Sequence, residues 1–365
     1  MFGRSWRIAT IRGIPVNVDS SWIWIAVLLT YSLWAQFDAI DGGGGPGSAL
    51  VFAVFGAVLF FGSVFLHEFA HAVAARANGL KVFGITLVVF GGFTSTQSDE
   101  KGPGPSFVIS AVGPGTSLAL GAVFWALSRS TAGVDDVLSA TFGYVGWVNL
   151  IMAGFNVLPG LPLDGGRMLE ATVWRVTGDR QRATRIAARA GMVVGGLLVA
   201  ISLFELTRRE SFGALWLAII GMFVFQGARA SEQQIGIRDR LARGTVADAM
   251  GPPPSAVPAD MTLSEALDRY LRGRESEGFP VVEDGRVIGM LSFASAREVG
   301  KDDPLRPVRD AVVPLSQVLT AEVDEPLERL AGRLGPAGTA LVLRDGELVG
   351  AISSSGVVRW ATSRG

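Results

Sequence analysis

The chain has two histidines, and they stand four residues apart in the run His67-Glu68-Phe69-Ala70-His71. On a helix that spacing sets both imidazoles on one face, one turn apart, with a carboxylate beside them. Such a pair holds a Zn²⁺ ion, and the adjacent Glu68 is placed to take a proton from a water the ion activates. Catalytic zinc sites generally use three protein ligands and leave a further position for water. The chain has no cysteine and no other histidine, so the third ligand must be Asp or Glu. The lack of cysteine also excludes disulfides and thiolate nucleophiles.

Few acids lie near the apolar segments. Asp164 stands out in residues 156–167, NVLPGLPLDGGR. The prolines interrupt a helix there, and Gly165-Gly166 permit a tight turn that presents the carboxylate inward. The same Asp164 would also suit the cap of a helix beginning at Arg167 or Met168. The need for a third ligand favours coordination over capping. Glu170 and Glu205 are weaker candidates. Asn156, late in an apolar helix, suits either the carbonyl of an incoming peptide or an interhelical hydrogen bond.

The elements that carry these residues are apolar. Hydrophobic residues make up 49% of the 365, mean hydropathy is +0.40, and only 18% are charged. Six stretches, near 20–37, 49–73, 106–128, 140–158, 186–206 and 211–229, approach the roughly 20 residues that cross a bilayer. The histidine pair lies in the second, and Asp164 follows the fourth. An ionisable residue inside such a run is costly without a function. No ordinary signal peptide opens the chain, because the first apolar run begins near Ser20 without a small-residue cleavage site.

Charge orients the spans. Arg4, Arg7 and Arg12 precede the first, Arg76, Lys81 and Lys101 lie between the second and third, and Arg167, Arg175, Arg180, Arg182 and Arg185 follow the fourth. The alternate connections hold Asp41, Arg129, Asp135 and Asp136, and only Arg208 and Arg209 dissent. The positive-inside rule therefore predicts a cytoplasmic N-terminus and a cytoplasmic tail. Residues 79–94 and 6–18 are short and β-branched and predict strands, which at membrane depth need cover from protein or access to water.

These motifs resemble the site-2 protease family of intramembrane zinc metallopeptidases, in the bacterial subgroup that carries cytoplasmic CBS domains. The family has HExxH on a core helix and Asn-x-x-Pro-x-x-x-x-Asp-Gly at a later one, patterns met here by His67, Glu68 and His71, then Asn156, Pro159, Asp164 and Gly165. The resemblance implies His67, His71 and Asp164 as ligands of one Zn²⁺ and Glu68 as general base, beside which Asn156, placed to hold or polarise a peptide carbonyl, is a further candidate catalytic residue. It also implies a substrate-receiving strand in 79–94, a transmembrane protein substrate such as an anti-sigma factor, and a place in the bacterial cell membrane among its lipids.

Residues 231–365 are richer in charge, with 20 acids against 16 bases, so nothing offers the basic face nucleic acid needs. They contain two similar units whose Asp284-Gly285 and Asp345-Gly346 suit type I′ hairpin turns. The units resemble a tandem CBS pair, a module that often binds adenine nucleotides. Ser292 and Ser353 match its contact positions. The acid expected three residues later is replaced by Ser295 and Gly356. A role in homodimerisation or gating is the other expectation for the pair.

The expected architecture is a polytopic α-helical membrane domain with about six transmembrane helices and short membrane-associated β segments, followed by a soluble α/β tandem CBS domain. The expected boundaries are 1–230 for the membrane metalloprotease domain, 231–243 for a linker, and 244–300 and 301–365 for the two CBS repeats. A CBS-regulated membrane metal-ion transporter and a non-catalytic regulator of membrane proteins are the competing readings. The first predicts polar groups strung along a route, and the second predicts a missing ligand or base.

Overall fold

A computed structural model describes residues 5–40, 46–88, 91–96, 102–208, 212–273, 278–301, 303–335 and 338–363. Arg4, Asp41, Lys101 and Arg209, used above for orientation, lie outside the described residues. The chain divides into two compact units, Met1–Gln233 and Gln234–Gly365.

The first unit opens with a hairpin, β1 (Ser5–Ile11) and β2 (Ile14–Asp19), then α1 (Ser21–Ile40) and α2 (Pro46–Ala77). A second hairpin, β3 (Val82–Val88) and β4 (Gly91–Thr96), precedes α3 (Pro103–Thr131), α4 (Asp136–Asn156), the short α5 (Asp164–Thr177), α6 (Arg180–Arg208) and α7 (Phe212–Arg243). All of these helices but α5 are long and apolar enough to cross a membrane, six among the described residues. At most 33% of each most apolar window is buried inside the protein, so the remaining apolar side chains face outward. Lipid is the solvent that makes that arrangement favourable. Polar residues collect instead in the interior, where Ser63, His67, His71, Ser106, Ser110, Ser117, Thr141 and Asn149 are buried.

Both expected strand segments pair into one sheet in the order β1-β2-β3-β4. The two hairpins are antiparallel and are joined by the parallel pair β2–β3. Ile14, Val18, Ile85 and Leu87 pack from this sheet onto Val64 and Ala72 of α2. The sheet therefore rests on the helix that carries both histidines.

Helix ends follow local chemistry. Asp19 Oδ1 accepts the Ser21 N–H at 2.9 Å ahead of α1, and Asp135 Oδ1 accepts the Leu138 N–H at 2.9 Å at the start of α4. The polar residues 231–243, expected as a linker, form the last turns of α7, and Leu241 packs against the core of the second half of the tail.

The second unit contains α8 (Val246–Ala249), β5 (Val257–Pro258), α9 (Leu263–Ala266), β6 (Gly278–Glu283), β7 (Arg286–Ser292), α10 (Phe293–Gly300), β8 (Val313–Pro314), β9 (Thr320–Glu322), α11 (Leu327–Arg333), β10 (Thr339–Arg344), β11 (Glu347–Ser353) and α12 (Ser354–Ser363). Both expected type I′ turns are present: Asp284 and Gly285 have φ of 50° and 78°, and Asp345 and Gly346 have 54° and 87°. The two halves interlock. β8, contributed by the second half, pairs with β7 of the first, while Gly251 of the first bridges to Ala351 of the second.

Candidate metal centre

α2 carries His67 and His71 one turn apart, and both are buried. Their Nε2 atoms lie 3.3 Å from each other, and each lies 3.2 Å from Asp164 Oδ2. The three form a cluster of metal-capable groups, with Asp164 brought from α5. This triangle fits zinc: tetrahedral bonds of about 2.0–2.2 Å place ligand atoms roughly 3.3–3.6 Å apart. The donor set also fits, since two neutral imidazoles and one carboxylate leave an open corner for water.

The imidazoles are oriented from behind. His67 Nδ1 lies 2.9 Å from Ser117 Oγ, and His71 Nδ1 lies 2.7 Å from the Ile109 carbonyl. That carbonyl can only accept, so Nδ1 of His71 carries the proton and Nε2 keeps its lone pair for a metal. The same tautomer in His67 donates to the Ser117 hydroxyl. Both partners come from α3, where Pro114 interrupts the backbone ladder because it has no N–H to donate. Gly113, on the same helix, leaves room for the rings. A Cβ there would overlap His71 Nε2 and stand 2.9 Å from His67 Nε2.

Asp164 arrives differently from the expectation. It is the first residue of α5, whose cap residue is Leu163, and the helix does not wait for Arg167 or Met168. Gly165 and Gly166 accordingly sit in the first helical turn, not in a separate tight turn. The preceding loop is tied to α6 by the Leu161 N–H, which donates to the Ala187 carbonyl at 3.1 Å.

The other acids are placed elsewhere. Glu170 Oε1 accepts from the Thr184 hydroxyl at 2.7 Å, bracing α5 against α6. Glu205 is exposed near the end of α6. Asn156 is the half-buried last residue of α4, and no hydrogen bond joins it to the cluster among the described residues. The fully buried amide of that helix is Asn149, whose Nδ2 donates to the Val145 carbonyl at 2.8 Å and whose Oδ1 meets no partner among the described residues.

Glu68 borders the sheet. The Thr94 hydroxyl on β4 lies 3.1 Å from the Glu68 carbonyl oxygen and 3.3 Å from its carboxylate Oε2. Ser117, Ile109, Gly113 and Thr94 were not identified from sequence. The available signal was the small-residue recurrence Ser106, Ser110, Gly113, Ser117 and Gly121 along one face of α3, all of them buried.

In the tail, Ser292 and Ser353 serve as caps. Ser292 Oγ accepts the Ser295 N–H at 3.1 Å at the start of α10, and Ser353 Oγ accepts the Gly356 N–H at 3.1 Å at the start of α12.

The chain is also similar to known proteins. The profile of peptidase family M50 matches residues 55–135 and 130–198, and that of the CBS domain matches 246–299. A Mycobacterium tuberculosis protein that carries the name Rip3 and the description of a zinc metalloprotease is 38% identical over 96% of this chain and 91% of its own length. A Synechocystis relative with the same description is 30% identical over 97% of this chain and 94% of its own. Among solved structures, the site-2 protease from Methanocaldococcus jannaschii is 25% identical and aligns over 63% of this chain and 95% of its own, with a TM-score of 0.44.

Proposed function

This chain belongs to peptidase family M50, and from that premise we propose how its residues perform the work of the family. It is a multi-pass membrane zinc metalloendopeptidase of the site-2 protease type, cutting peptide bonds in or near transmembrane segments of membrane proteins, with a CBS tail. The observation that carries the assignment of roles is the triangle of His67, His71 and Asp164, with Glu68 on the same helix turn.

His67 Nε2, His71 Nε2 and Asp164 Oδ2 are the atoms that would hold the zinc ion. When bound, zinc supplies Lewis-acid polarisation of the scissile carbonyl and lowers the pKa of water. Glu68 takes the proton from the attacking water and passes it to the departing peptide nitrogen, so that it begins and ends the cycle as a carboxylate. Each Nδ1 keeps its proton and donates it, His67 to the Ser117 hydroxyl and His71 to the Ile109 carbonyl, so both imidazoles would serve as neutral ligands. Asn156 is assigned to the substrate carbonyl, at the end of α4 just ahead of the Asp164 loop.

A helical substrate hides its carbonyls in hydrogen bonds. β4 ends the sheet order, so one of its edges has no ladder partner among the described residues. An unwound substrate segment would pair there and recover the backbone bonds it gives up. The concentration of basic residues between α2 and α3 and after α4 supports a cytoplasmic N-terminus and tail in a bacterial cell membrane. A single-span signalling protein, such as an anti-sigma factor, is the substrate type we assign.

For the tail we propose control of activity or assembly, through homodimerisation of the CBS pair or an adenine nucleotide at Ser292 and Ser353. A nucleotide would have to share those hydroxyls with the caps of α10 and α12. The transporter reading is disfavoured because the metal-capable groups among the described residues gather at one point and form no route.

The test is zinc analysis of the detergent-purified full chain together with cleavage of transmembrane peptides. Wild type should hold about one zinc and cut, Asp164→Ala should lose the metal, and Glu68→Gln should keep it without cutting. Full zinc in Asp164→Ala would remove the third ligand, and wild-type cleavage by Glu68→Gln would remove the mechanism.

A further inference from the structure

The base Glu68 is gripped by the sheet. Thr94 stands 3.1 Å from the carbonyl oxygen of Glu68 and 3.3 Å from its Oε2, so one hydroxyl addresses both the backbone and the carboxylate of the same residue. Gly92, two positions earlier, lies on the same face of β4, since strand side chains alternate. A Cβ at Gly92 would stand 2.7 Å from Glu68 Cγ and 3.2 Å from its Cδ. The strand therefore comes down onto the stem of the glutamate at one position and reaches its oxygens at the next on that face.

The hydroxyl has one proton to give. An ionised carboxylate is a stronger acceptor than a helical carbonyl, which already receives a backbone N–H. The rotamer of Glu68 is thus limited by Gly92 against its stem and by Thr94 at its head. β4 is also the sheet-edge strand, with its outer ladder side unpaired among the described residues.

We propose that Thr94 is a positioning residue for the proteolytic reaction. It holds the Glu68 carboxylate in its working rotamer and fixes that carboxylate to the strand on which an extended substrate pairs. One contact then sets both the register of the scissile bond and the position of the group that moves its proton. The inference rests on Glu68 as general base, and Thr94 acts through Glu68.

The experiment compares Thr94→Val, Thr94→Ser and Gly92→Ala in the full chain, measuring zinc content, KM and kcat on a transmembrane peptide. Thr94→Val removes the hydroxyl at nearly constant shape. It should keep one zinc and a KM within about twofold, while kcat falls roughly ten- to a hundredfold, the penalty of a misplaced catalytic group. Thr94→Ser restores the hydroxyl and should bring kcat back to within about threefold of wild type. Gly92→Ala displaces the glutamate stem with the hydroxyl intact and should also lower kcat with zinc retained.

Wild-type kcat in Thr94→Val would overturn the proposal. So would a Thr94→Ser variant as slow as Thr94→Val, or a loss explained by lost zinc, since each of these describes a contact that only supports the fold. If Thr94→Val does not fold, Thr94→Ala takes its place with the same expectations, and wild-type kcat in Thr94→Ala would likewise overturn the proposal. Failure of the underlying reading is separate: it shows as cleavage by Glu68→Gln, whatever the Thr94 variants do.

Discussion

The metal centre and the tail hold their polar side chains in opposite ways. In the membrane unit, the contacts that assemble the proposed metal ligands join distant parts of the chain: His67 bonds Ser117 50 residues on, His71 bonds Ile109 38 residues on, and His71 lies beside Asp164 93 residues on. In the tail, Ser292 bonds Ser295 and Ser353 bonds Gly356, three residues away in each case. A long-range site exists only when its helices pack correctly, so it should fail as a unit when packing is disturbed. A local cap folds with its own helix and should fail alone.

The largest expected effect tests the first half of that contrast at a residue that binds nothing. Gly113→Ala adds one methyl group to α3 where it would overlap His71 Nε2. The rings and α3 cannot both keep their places, and overpacking of this kind typically costs about 1–3 kcal/mol. Here the cost falls on the ligand triangle, so zinc occupancy and cleavage should both drop to background while the helices remain. Zinc titration and circular dichroism check this. Normal zinc uptake in Gly113→Ala would mean that the site is less dependent on helix packing than its geometry implies.

A smaller effect is expected behind the ligand. Ser117→Ala leaves space and fold unchanged but takes away the acceptor for His67 Nδ1. Loss of an outer hydrogen bond of this kind typically lowers metal affinity roughly ten- to a hundredfold. Competition with a zinc chelator should show that weakening in Ser117→Ala, and cleavage should return when zinc is added in excess. Unchanged affinity would show that packing alone orients His67.

These expectations mark where sequence reading reached and where it stopped. That His67, Glu68 and His71 stand together was legible because helical spacing alone brings them so, and that Asp164 joins the two histidines was expected from the shortage of other donors. The six spans were legible from hydropathy, but their ends were not. α7 continues to Arg243 because Glu, Gln, Arg and Ala favour helix in water as well, so polarity marks the exit from the membrane and not the end of the helix. The start of α5 was misplaced for a related reason: Gly165-Gly166 read as a turn, yet both are buried in the first turn of a helix. Ser117 and Gly113 were hidden because small residues line most close helix contacts in membranes, and nothing local distinguishes one that faces a histidine; Thr94 was hidden because its contact with Glu68 depends on where the sheet docks against α2. The Asp-Gly turns of the tail were read correctly because a type I′ turn is decided by the two residues that form it.

The smallest expected effect tests the local half of the contrast. Ser292→Ala removes the hydroxyl that caps α10, and Ser353→Ala removes the one that caps α12. Each should cost about 1 kcal/mol, the usual loss on truncating a serine cap, which corresponds to a roughly fivefold faster local opening. Hydrogen exchange of the full chain should localise the change to 293–300 in one variant and 354–363 in the other. Zinc affinity should stay unchanged, because no bond of the metal centre passes through either serine. If cleavage falls in either variant while zinc remains bound, the tail acts on the membrane site through these positions, and the caps belong to a control element as well as to the fold of their own helices.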